Sequence, residues 1–73
     1  MTSNPYELAG RLAKARKIVE TLTANGYRSG TVAGFSDDQW SLVAAAARVK
    51  HPSVDTQALV ISLLRDQEGV GAR

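Results

Sequence analysis

The chain has 73 residues, a formal net charge of +2, one histidine and no cysteine. That is one domain at most, and it excludes a disulfide framework, a thiolate metal site and a metal held by several histidines. No apolar run reaches the roughly 18 residues of a membrane span, and the opening MTSNPYELAG lacks the basic-then-apolar profile of a secretory leader, so a cytoplasmic protein with no membrane contact is expected.

The first helix is expected over residues 4–25. Ser3 or Asn4 can cap it, and Pro5 suits its first turn because the missing N–H would have no partner there anyway. Leu8, Leu12, Ala15, Val19 and Leu22 recur at alternating steps of four and three, the narrow stripe of a helix that packs along a seam. Tyr6 and Ile18 widen its edges. Gly26 is placed to end the helix in a left-handed turn. Arg11, Lys14 and Lys17 follow one another at steps of three along one flank, with Arg16 on the other.

Residues 27–35, YRSGTVAGF, read as a short extended linker. Gly30 and Gly34 discourage helix, while Tyr27, Thr31, Val32 and Phe35 favour strand. A lone strand needs a mate, and the chain offers no second candidate, so this segment is expected to pair with its copy in another subunit.

The stretch FSDDQW then carries a complete helix start. Ser36 and Gln39 form a capping box, Asp37 and Asp38 sit where the helix N-terminus favours carboxylates, and Phe35 and Trp40 occupy the two positions of a hydrophobic staple. Adjacent carboxylates on a helix point in different directions, so the two aspartates read as architecture rather than catalysis. The second helix runs over 37–50 with Trp40, Val43, Ala44 and Ala47 on one face, and His51-Pro52 ends it. Ser53 caps a third helix over 54–68, with Gly69 as its stop and 69–73 as a loose tail. Its centre, ALVISLL, is apolar almost all round and implies burial on several sides. A 73-residue chain has little to cover it with, and small domains without disulfides or metals lean on oligomerisation. A homodimer through this third helix is expected.

The expected fold is therefore all-α, one small helical domain over residues 1–73. No nucleophile elbow, zinc-binding HExxH, phosphate-cradling glycine loop or dinucleotide fingerprint is present, and His51 has no partner with which to act as a base. No enzymatic activity and no cofactor are expected. Five basic residues against two acids in the first 35 positions put the positive charge in the first half, and the flank of Arg11, Lys14 and Lys17 is suited to phosphates, with a plainly solvated helix face as the alternative.

Residues 34–64, GFSDDQWSLVAAAARVKHPSVDTQALVISLL, resemble the ribbon-helix-helix family of DNA-binding proteins. The resemblance lies in a helix, the turn HPSV and a second helix with Val54, Ala58, Leu59 and Leu63 at its apolar positions. It covers under half of the chain, and the family's glycine is replaced in the turn by His51-Pro52. A long helix also precedes the would-be ribbon, and the ribbon carries two glycines. The resemblance implies an intersubunit ribbon entering the major groove, with Arg28 and Thr31 on its reading face, the second helices forming the dimer core, and Ser53 at a helix N-terminus that grips a phosphate. The same helices also fit a plain hairpin. Two functions follow as expectations: a small dimeric DNA-binding regulator of transcription that contacts double-stranded DNA through Arg11, Lys14, Lys17, Arg28, Thr31 and Ser53, or a helical protein-protein interaction module that modulates a larger partner.

Overall fold

The structure is a computed structural model and describes residues 5–71. Four helices follow in order: α1 over Pro5–Ala24, α2 over Ser29–Val32, α3 over Asp37–Ala46 and α4 over Val54–Gly71. The all-α expectation holds, and there is no strand among the described residues. Ser3 and Asn4, the expected caps of α1, lie outside them.

α1 ends as its sequence implies. Gly26 adopts φ of +79°, and the amides of Gly26 and Tyr27 donate back to Thr23 and Leu22 at 3.1 and 3.0 Å, the paired bonds that close a helix through a left-handed residue. α3 also starts as expected. The Gln39 amide donates to the Ser36 hydroxyl at 3.3 Å, the Ser36 amide donates to the Gln39 side chain at 2.8 Å, and the Phe35 and Trp40 rings meet edge-to-face at 5.5 Å between centroids. Ser36→Ala is expected to cost about 1 kcal/mol through loss of this cap; an unchanged thermal melt would mean that the cap contributes nothing.

The linker expectation is corrected. Residues 29–32 form a helical turn instead of an extended ribbon. The amides of Thr31, Val32, Ala33, Gly34 and Phe35 all donate to carbonyls between Arg28 and Val32, so the groups that a ribbon would offer to a second chain are used locally. Strand propensity expresses the fit of a side chain to a sheet, and without a neighbouring strand it has little to act on. Val32 is instead fully buried, and a carboxylate from α4 holds the start of the turn.

Two boundaries also move. α3 ends at Ala46, not residue 50, because Arg48 turns left-handed at φ 60° and the amides of Arg48 and Val49 close on Ala45 and Ala44 at 3.1 and 2.9 Å. This brings Val49 to the edge of the core and inserts Pro52 into it. α4 passes through Gly69, expected as its stop, and reaches Gly71. A glycine ends a helix only when it turns left-handed as Gly26 does, and Gly69 does not. Of the expected loose tail, residues 72–73 lie outside the described residues.

α1 is the central element and packs against both α3 and α4, while α2 packs on α4. α1 and α4 run parallel: Arg16, Val19 and Glu20 face Leu63, Asp66 and Gln67, and higher up the Thr23 hydroxyl donates to the Gln67 side chain at 3.4 Å. α2 follows α1 at this upper end and docks at Glu68. The chain must then return to the lower end to begin α4, and α3 with the Arg48–Ser53 turn makes that return. The core is Ala15, Ile18, Val19, Leu22, Val32, Trp40, Val60 and Leu64.

The expectation that α4 needs a second chain to cover it is met in part within one chain. Val60 and Leu64 are buried, and Leu59, Ile61 and Leu63 are half-buried. α1 supplies most of that cover.

Candidate nucleic-acid interface

The parallel arrangement of α1 and α4 sorts the charges along the molecule. At the lower end lie Arg11 and Lys14 from α1 and Arg48 and Lys50 from the α3–α4 turn. Arg11, Arg48 and Lys50 are exposed and Lys14 is half-buried. His51 is exposed beside them. The acids at this end are Glu7 and Asp55. The N-terminus of α4 opens here too, and its unpaired amides carry partial positive charge. At the upper end lie Glu20, Asp37, Asp38, Asp66 and Glu68, with Arg28 and Arg65 as the cations there among the described residues. Arg16 and Lys17 lie just above the middle of α1.

The six residues expected to touch DNA are therefore divided. Arg11, Lys14 and Ser53 belong to the lower end. Lys17 is exposed at mid-height on α1. Arg28 and Thr31 are exposed at the upper end, on a helical turn and not on a ribbon face. Ser53 acts as the cap of α4: its hydroxyl accepts from the Thr56 amide at 3.3 Å and shares a further bond with the Thr56 hydroxyl at 3.1 Å. The Gln57 side chain donates to the Pro52 carbonyl at 3.0 Å, which fixes the turn that presents Arg48 and Lys50.

Arg48 and Lys50 escaped the sequence reading because Asp37 and Asp38 cancel them in a residue count. The fold separates the two pairs to opposite ends. The available signal was the run RVK ahead of His51-Pro52, since the residue before a proline marks a helix boundary and hence a connecting turn.

Arg28 has a different setting from that of a phosphate ligand. The Ser29 amide and hydroxyl both donate to the Glu68 carboxylate, each at 2.7 Å. These bonds, from the backbone first and the hydroxyl second, hold the Glu68 carboxyl below its ordinary value, and the positive charges of Arg28 and Arg65 add to the effect while burial opposes it. Glu68 thus caps α2 from a distant helix. Because its folded value is lowered, its contribution to stability is present above the ordinary carboxylate range and is lost as pH falls through the folded value. Glu68→Gln is expected to melt below wild type at pH 7, and the gap to close as the pH falls below the ordinary glutamate value of about 4.3 and through the lowered folded value. Equal melting at pH 7 would show that the latch adds nothing.

Among the described residues no group of His, Cys, Asp and Glu could hold a metal ion, and no helix is long and apolar enough to cross a membrane. No family model, curated protein or solved structure matches the chain.

Proposed function

We propose that the chain is a small DNA-binding regulatory protein without catalytic activity, and that it meets the phosphate backbone with its lower end. The uneven spread of charge carries this reading: Arg11, Lys14, Arg48 and Lys50 outnumber Glu7 and Asp55 in the half of the molecule where α4 opens, while in the other half five acids outnumber Arg28 and Arg65 among the described residues. An electrostatic dipole of this kind orients a protein on a polyanion. The groove-reading ribbon implied by the family resemblance has no counterpart in the single chain, so the contact rests on phosphates and not on base edges.

Four phosphate contacts correspond to a slope of about −3.6 in log affinity against log salt, or on the order of a hundredfold loss between about 50 and 200 mM salt. A salt titration of binding to a random duplex tests this. A slope of about −3 to −4 supports the reading, and no binding at low salt contradicts it.

A second reading, docking on a larger protein, draws on one observation. Leu42 is 71% exposed, and Ala45 and Ala46 lie beside it on the outer face of α3, both exposed. Leu42→Ser separates the two readings, since it removes an apolar contact and leaves the basic end intact.

A further inference from the structure

α1 and α4 meet along an open groove of about 330 Å³ lined by Arg16, Val19, Glu20, Leu63, Asp66 and Gln67. Its floor is apolar, with Val19 buried and Leu63 half-buried. The floor continues toward the lower end, because Leu12 lies one turn below Arg16 and Leu59 one turn below Leu63, on the same flanks of their helices. Both leucines are half-buried. A row of half-covered leucines between two parallel helices is one layer of a bundle that lacks its second layer.

The rim carries both signs of charge in a definite order. Arg16 lies about one turn below Glu20, and Asp66 stands across the groove at the upper level. A two-fold axis through the groove at Val19 and Leu63 reverses the direction of a second copy. It therefore sets Arg16 of each chain against Glu20 and Asp66 of the other, twice over. We propose that this groove is an isologous interface between two copies of the chain, forming a four-helix layer from two α1–α4 pairs.

The interface goes beyond the DNA reading and does not depend on it, since the groove residues are separate from the basic end.

The test uses the full chain in sedimentation equilibrium, with Arg16→Glu, the double variant Glu20→Lys/Asp66→Lys, and an equimolar mixture of the two. Circular dichroism melts establish that each variant folds. Wild type is expected to dimerise, and each variant alone to self-associate at least about tenfold more weakly, since like charges then face each other across the axis. The mixture is expected to recover dimers near wild-type affinity. In a mixed pair the introduced glutamate of one chain faces the introduced lysines of the other, and the unaltered Arg16 of the second chain faces the unaltered Glu20 and Asp66 of the first. A wild type that stays monomeric to about 1 mM, variants that dimerise as tightly as wild type, or a mixture that recovers nothing would each overturn the interface.

Discussion

Trp40→Ala is expected to remove about 3–5 kcal/mol of stability, which for a chain of this length is on the order of half of the roughly 4–11 kcal/mol available. Trp40 is 3% exposed and joins three parts of the fold. Its ring meets Phe35 edge-to-face, and Phe35 meets Tyr27 in the same way, each pair at 5.5 Å between centroids. Edge-to-face pairs contribute about 0.5–1.5 kcal/mol beyond the area they bury. Truncation opens a cavity between α1 and α3 and also strips Phe35 of its neighbour, so the start of α3 and the linker that carries α2 loosen together. Urea unfolding followed by circular dichroism measures the loss. Trp40→Phe, which keeps a ring in place, is expected to be much milder. An alanine variant that melts close to wild type would mean that the packing between α1 and α3 does not hold the domain together.

The second large effect concerns the basic end. Neutralising Arg11, Arg48 and Lys50 together is expected to flatten the salt slope by about 3 and to weaken binding to random duplex on the order of a hundredfold at low salt. Arg48→Gly is the suitable change at its position, since φ there is 60° and glycine adopts that conformation without strain. Arg11→Ala and Lys50→Ala complete the variant. Arg28→Ala is the matching control at the opposite end. Its cation lies in the field of Glu68, so its removal is expected to leave the slope nearly unchanged. A loss from Arg28→Ala as large as that from the triple variant would move the contact to the upper end and overturn the proposal.

Helix starts and stops were legible where a few neighbouring residues settle them alone. The capping box of Ser36 and Gln39, the left-handed Gly26 and the Ser53 cap all stand where their local chemistry put them. The segment 27–35 was misread because its structure is decided elsewhere. Its strand formers find no strand, and Glu68, 39 residues away from Ser29, supplies the cap that makes a helical turn of it. Arg48 shows the same limit from the other side: an arginine does not announce a left-handed turn, and only the anchoring of Val49 and Pro52 in the core places it there. The cations of α1 were legible as a stripe. Their company at the lower end was not, because that depends on α1 and α4 running parallel, a property of packing and not of periodicity.

The proposed contact is between duplex DNA and the lower end of the molecule. Backbone amide shifts recorded while a short random duplex is added at low salt locate the contact directly. The perturbed amides are expected to cluster at residues 8–14 and 48–57, with 28–38 and 65–68 quiet. Perturbations centred on 28–38, or none at all, would contradict it.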